Sequence, residues 1–201
     1  MQRTILTARH IAHVDPAGGA PAVQLPPRIY RAIDEIFVGD AEGLSEAQFK
    51  ERYPSESDLR KRDKIGYRYP RGESYYDIIA RLEPVMIELL SLEAPLLVVS
   101  HQATLRMVRG FLLGLKREDC PAYEIPLHTV MKITWDGWSE PVEEEIPLGP
   151  SKEQVLEELV SGTIYPPQLL ECHSFSPEIA LPSGEHICSL LLCRLRPSWR
   201  R

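Results

Sequence analysis

Two neighbouring stretches of this chain carry hydrophobic patterns strong enough to fix an element each. Between Tyr76 and Leu92 the apolar positions Ile78, Ile79, Leu82, Val85, Met86, Leu89 and Leu90 recur at helical spacing. That broad stripe predicts a helix laid over a sheet. Pro95-Leu-Leu-Val-Val-Ser100 follows, an apolar run bounded by a proline and a serine. It reads as a strand buried on both faces. From Gln102 to Lys116 the helical period returns through Leu105, Val108, Leu112 and Leu115. Strand, turn and helix in that order put His101 at the carboxyl end of the strand. In an open α/β sheet ligands bind in that crevice, and the start of the helix offers free N–H groups to an anion. An imidazole there, with Arg106 one turn on, suits a phosphoryl group. The competing reading is a core histidine satisfied by backbone.

The remaining chain is less periodic. Arg3–Ala8, RTILTA, starts a helix that cannot cross DPAGGAPAVQLPPR, so residues 15 to 28 are read as a loop. Arg9, His10 and His13 just before it read as polar surface rather than metal ligands. Ile29–Gly43 sets acids beside Ile33, Ile36, Phe37 and Val38. A carboxyl group desolvated in such company has a raised pKa, as a general acid requires; a solvated helix end is the plainer reading. Ser45 with Gln48 three residues on forms a capping box for a helix to Tyr53, with Pro54 as its stop. Ser74 or Asp77 starts the long helix. Val130–Trp135 alternates as an edge strand would, Asp136-Gly137 turns, and Trp138 begins a return. Ser151–Val160 predicts one more helix, and the chain closes on HICSLLLCRLRPSWRR, apolar then basic, with no chemistry assigned.

Composition narrows the function. The 201 residues supply one domain of ordinary size, and a formal charge of −6 argues against nucleic acid or an acidic membrane as partner. No apolar run approaches the roughly 20 residues of a membrane span, and the first residues do not read as a signal peptide. Four cysteines without a C-x-x-C pair give no zinc pattern and fit reduced thiols in the cytoplasm. Against this acidic background Leu59–Tyr69, LRKRDKIGYRY, stands out: Arg60, Lys61, Arg62, Lys64 and Arg68 interleave with Tyr67 and Tyr69. Solvated charge is one reading. An anionic small molecule is the other, because phosphates need several convergent donors.

RTILTA, IDEIFVG, YRYPRGESY, the His101-Gln102 strand end and IPLHTV run in a fixed order over residues 1 to 135. Together they resemble the histidine phosphatase superfamily, and more closely the fructose-2,6-bisphosphatase domains of bifunctional 6-phosphofructo-2-kinase/fructose-2,6-bisphosphatases. The resemblance implies an α/β fold with a mostly parallel sheet flanked by helices, a reaction through a phosphohistidine, a sugar bisphosphate as ligand, and neither cofactor nor metal. It makes Glu35 the acid that protonates the leaving sugar oxygen. It makes His101 the histidine that stabilises the transferring phosphoryl group, and Arg3 of R-T-x-x-T-A the arginine that grips it. Arg60, Lys64 and Tyr75 would hold the other phosphate, and Gln102 and Arg106 would contact the substrate.

Three departures shape the expectation. The family's nucleophile lies in an R-H-G motif ahead of R-T-x-x-T-A, and the 201 residues contain no R-H-G; Arg9-His10-Ile11 comes too late and lacks the glycine. Glu46 stands where these bisphosphatases usually carry a tyrosine. The kinase half, with its G-x-x-x-x-G-K-[ST] loop, is absent although the full-length family has it. The expectation is therefore a partial phosphatase domain over residues 1 to 145, without its first strand, and an extension over residues 146 to 201 of unassigned role. Two classes follow: a phosphatase fragment, or a non-catalytic phosphosugar-binding piece of the bifunctional protein.

Overall fold

The helix Tyr75–Leu90 and the helix Gln102–Leu112 pack together and bring Ile78 and Leu105 into one core, neither of which has any exposed surface. Burying two such side chains contributes about 1.5–3 kcal/mol each. The structure, a computed structural model, describes residues 2–9, 12–13, 23–24, 27–92, 95–127, 129–135, 139–147 and 188–194. In chain order the elements are α1 (Gln2–Arg9), β1 (Ala12–His13), β2 (Val23–Gln24), α2 (Glu46–Arg52), α3 (Pro54–Arg62), α4 (Tyr75–Leu90), β3 (Leu96–Val99), α5 (Gln102–Leu112), β4 (Thr129–Trp135), β5 (Val142–Pro147) and β6 (Cys188–Arg194). One core joins Ile78, Leu82 and Met86 of α4 and Leu105 and Val108 of α5 to Val98, Met131 and Ile133 of the sheet. No helix among the described residues is long and apolar enough to cross a membrane.

Local signals set the helix starts. Ser45 and Gln48 exchange both bonds of a capping box at α2, and Ser74 and Asp77 do the same at α4. Pro54 does not merely stop α2. It occupies the first turn of α3, where its missing N–H costs nothing. The helix after His101 ends sooner than its composition predicts. Gly114 takes φ +63°, the Leu115 N–H donates to Gly110 O and the Gly114 N–H to Phe111 O, closing a left-handed C-terminal cap.

The sheet runs β3-β6-β4-β5. β3 and β6 are parallel, with Leu96 opposite Leu190 and Val99 opposite Cys193; β6–β4 and β4–β5 are antiparallel. The α/β class stands, but the sheet is mixed rather than mostly parallel, with one parallel pairing among the described strands. Two other expectations change. β4 is not an edge strand: β6 and β5 flank it, and Met131 and Ile133 are fully buried. The tail left without a role supplies β6, and its apolar run L-L-L-C suits a strand with neighbours on both sides. Within the stretch read as a loop, Val23–Gln24 pairs antiparallel with Ala12–His13. His10, the rest of the loop from 15 to 22, the Asp136-Gly137 turn, Trp138 and the helix read over Ser151–Val160 lie outside the described residues.

Candidate active site

His101 is the N-cap of α5, on extended backbone with φ −127° and ψ 164°. The strand ending at Val99 and the helix beginning at Gln102 leave it in the turn between them, where it is buried with 4% exposure. Arg3 of α1 closes on it, with Nη2 2.7 Å and Nε 3.1 Å from the imidazole Nδ1. A guanidinium can only donate, so Nδ1 is the acceptor and the proton of the neutral ring sits on Nε2. Burial, and after it the Arg3 charge, push the imidazole pKa down to about 4. At neutral pH His101 is therefore an uncharged N–H donor. Its Nε2 is buried with no hydrogen-bond partner among the described residues.

Glu35 approaches the same helix from an irregular stretch. Its Oε1 accepts from the Ala103 N–H at 3.1 Å and from the Ile36 N–H at 3.0 Å. Ala103 is the second residue of α5, so the carboxylate lies at the helix end that favours negative charge. The sequence placed an acid among apolar neighbours. The structure adds what the pattern did not show, that N–H donors hold it.

Beside Glu35 a cavity of about 150 Å³ is lined by Glu35, Ile36, Arg60, Lys64, Tyr67, Tyr69, Tyr75, Gln102, Ala103 and Arg106. Of the residues to which the resemblance gives a role, all line it except Arg3 and His101, which pair with each other; Lys61, Arg62 and Arg68 of the basic patch do not line it, and Lys61 and Arg68 pair with Asp58 and Asp77. Arg106 donates to the Tyr75 hydroxyl at 3.2 Å and to the carbonyl of Tyr123. The Arg60 guanidinium stacks over Tyr69 at 5.9 Å from the ring centre. Partial burial, then the charges of Arg106 and Arg60, pull the Lys64 ammonium below its usual range. Three crowded cations around a small cavity relieve their repulsion by taking an anion. At the rim the Glu46 carboxylate lies 3.5 Å from Arg60 Nη1, largely in solvent.

Sequence reasoning missed the residues that hold this arrangement from behind. Ser100 Oγ donates to Ile33 O at 2.5 Å and Thr104 Oγ1 to Asp34 O at 2.7 Å, tying the Glu35 stretch to the strand–helix turn. Glu73 and Arg81 grip its other side. A signal for Arg81 was present: it is the one basic residue in the sixteen of α4. Among the described residues no cluster of His, Cys, Asp and Glu is built to hold a metal ion.

The fold is that of an α/β domain, and the chain belongs to the histidine phosphatase superfamily (branch 1), whose family pattern matches residues 1–144. Its relatives are narrower in kind. It is 45% identical over 133 residues to the 6-phosphofructo-2-kinase/fructose-2,6-bisphosphatase of Arabidopsis thaliana, covering 66% of this chain and 16% of that protein. It is 44% identical over 115 residues to the human 6-phosphofructo-2-kinase/fructose-2,6-bisphosphatase 3, covering 57% of this chain and 22% of that one. A probable fructose-2,6-bisphosphatase of Schizosaccharomyces pombe is 37% identical over 134 residues, covering 67% and 30%. The chain thus spans between a sixth and a third of the length of these relatives.

Proposed function

We propose that this chain carries the substrate-holding and acid side of a fructose-2,6-bisphosphatase site. The observation that supports the reading is the joining of two anion sites by one helix start. His101, Arg3 and the first N–H groups of α5 suit the transferring phosphoryl group, and the cavity of Arg60, Lys64, Tyr75, Gln102 and Arg106 suits the sugar's other phosphate. Glu35 belongs to both, as a cavity wall and as a partner of the Ala103 N–H. In the reaction so read, a histidine attacks phosphorus, the bond to the 2-oxygen of the sugar breaks, and Glu35 passes its proton to that oxygen. Donors aimed at the phosphoryl oxygens supply the main stabilisation.

His101 is not the attacking group in this reading. Arg3 takes the lone pair on Nδ1 and Nε2 carries the proton, so neither nitrogen is free to attack. This favours a second reading: these residues bind the sugar bisphosphate without themselves attacking it. The test incubates the purified chain with fructose 2,6-bisphosphate labelled at the 2-phosphate. The expected outcome is saturable, salt-sensitive binding with no acid-labile, base-stable label on protein. Stoichiometric label that disappears in His10→Ala would make His10 a working nucleophile and overturn the binding-only reading. Absence of any binding would sink the assignment of the cavity.

A further inference from the structure

Glu35 stands on a stretch, residues 32 to 37, that lies in no sheet and belongs to no helix beyond a single 3-10 turn at Arg31–Ile33. Partly buried backbone of this kind must find its hydrogen bonds outside secondary structure. One guanidinium meets three of its carbonyls. Arg81 Nη2 donates to the carbonyls of Asp34 at 2.8 Å and Glu35 at 3.3 Å, and Nη1 donates to the carbonyl of Ala32. Glu73 aims the guanidinium, with Oε1 3.0 Å from Nε and Oε2 3.3 Å from Nη2. The same Oε2 accepts the Phe37 N–H at 2.9 Å, and the Glu73 N–H donates to Phe37 O at 2.7 Å. A single carboxylate–guanidinium pair thus brackets Glu35 from Ala32 to Phe37. Its side chains are only 20% and 26% exposed, so water does not readily replace these bonds.

We infer that Arg81, aimed by Glu73, is the positioning residue of Glu35. Neither side chain lines the cavity, so the pair acts through the backbone beneath the acid rather than on a ligand. The geometry demands arginine. Three carbonyls and a carboxylate are met by one rigid planar fork of donors, which the point charge of a lysine cannot match. Ser100 and Thr104 anchor the far side of the stretch at Ile33 and Asp34 but make no bond to Glu35 or Phe37. This inference rests on the reading of Glu35 as the acid, but its test does not.

The Ala103 and Ile36 amides both donate to Glu35 Oε1, so they report where the carboxylate is. Their resonances and hydrogen exchange would be followed in the full chain and in Arg81→Lys, with Arg109→Gln as control. That control breaks another partly buried pair, in which Arg109 Nε and Nη2 lie 2.7 and 2.6 Å from Glu143, two turns further along α5. In Arg81→Lys the Ala103 amide should shift and exchange about tenfold faster or more, as expected for loss of a charge-assisted bond. The control should leave it in place. Unmoved amides in a folded Arg81→Lys would overturn the inference, because Ser100 and Thr104 would then suffice. If that variant does not fold, Glu73→Gln keeps an acceptor for Phe37 but loosens the guanidinium. It should move the same amides less far, and unmoved amides there overturn the inference equally. Failure of the unmodified chain to bind bisphosphate would sink the functional reading while leaving the amide result standing.

Discussion

Arg3 and His101 are 98 residues apart in sequence and meet at 2.7 Å, Nη2 to Nδ1, and this contact decides which imidazole nitrogen can serve a ligand. With Nδ1 engaged, the buried Nε2–H is a donor with no acceptor among the described residues. Burial first, and the Arg3 charge after it, keep this histidine uncharged. A second positive charge beside Arg3, away from water, is too costly to hold.

The first prediction is a pH dependence. Folded His101 protonates near pH 4, against an ordinary value of 6.5. As pH falls the unfolded chain therefore takes the proton first, and stability is lost between about 6.5 and 4. His101→Gln should flatten that part of the curve in chemical denaturation. Arg3→Met should raise the imidazole pKa part of the way back, burial keeping it below 6.5, as read from ring nitrogen shifts. An imidazole that titrates normally in the unmodified chain would refute both.

A second concerns the rim. Glu46 competes with any incoming anion for Arg60, and with so exposed a carboxylate the effect is modest. Glu46→Gln should tighten bisphosphate binding by roughly two- to fivefold at low salt, with the gain shrinking as salt rises. Glu46→Tyr should do at least as well, since it adds a hydroxyl donor. Weaker binding in both would mean that Glu46 helps to hold Arg60 in place.

What the sequence made legible follows from how local each cause is. The Ser45–Gln48 capping box, the start of the long helix at Ser74 or Asp77, the strand before His101 and the helix after it depend on residues within a few positions of one another, and all four are found. The cavity was legible only through the motif resemblance, because Arg60, Tyr75 and Arg106 converge from three elements. Three features escaped because their causes are distant. β4 alternates like an edge strand, yet it is enclosed by β6, which arrives from more than fifty residues later. Pro54 reads as a stop until one sees that a second helix begins on it. Arg81 is the one basic residue of its helix, but apart from Glu73 its partners are backbone carbonyls, which carry no sequence signature.

A third prediction tests backbone strain. Arg71 takes φ +57° in the Pro70-Arg71-Gly72 turn, a left-handed conformation that disfavours a side chain, and its guanidinium meets the Asp40 carboxylate. Arg71→Ala discards the ion pair and keeps the strain, whereas Arg71→Gly discards both. Arg71→Gly should therefore unfold at higher denaturant concentration than Arg71→Ala. The reverse order would mean that the turn changes conformation when the Asp40 contact is lost. The neighbouring Gly39 has no such latitude, since a methyl group there would lie within 2.1 Å of Pro70 O.

The last prediction is a coupling between α5 and the turn that follows it. Gly110 faces Cys120, and a methyl group added at Gly110 would sit 2.2 Å from the Cys120 sulfur. Both residues are buried, and burial raises the thiol pKa, so this cysteine acts as a small apolar group. Its Sγ also donates to the Lys116 carbonyl at 3.3 Å, which fixes its rotamer and leaves it little room to yield. Gly110→Ala should cost about 1–3 kcal/mol through overpacking, despite alanine's better helix propensity. Cys120→Ala should cost about 1–2 kcal/mol, because removing sulfur leaves a gap. Combined, the methyl of one enters the space vacated by the other. The double variant should then be more stable than the sum of the single losses predicts, by about 1 kcal/mol or more in a double-mutant cycle. Simple additivity would show that α5 shifts away from the turn to admit the methyl group. Because Gln102 and Ala103 are carried by that helix, such a shift would also move the Ala103 amide, and with it Glu35.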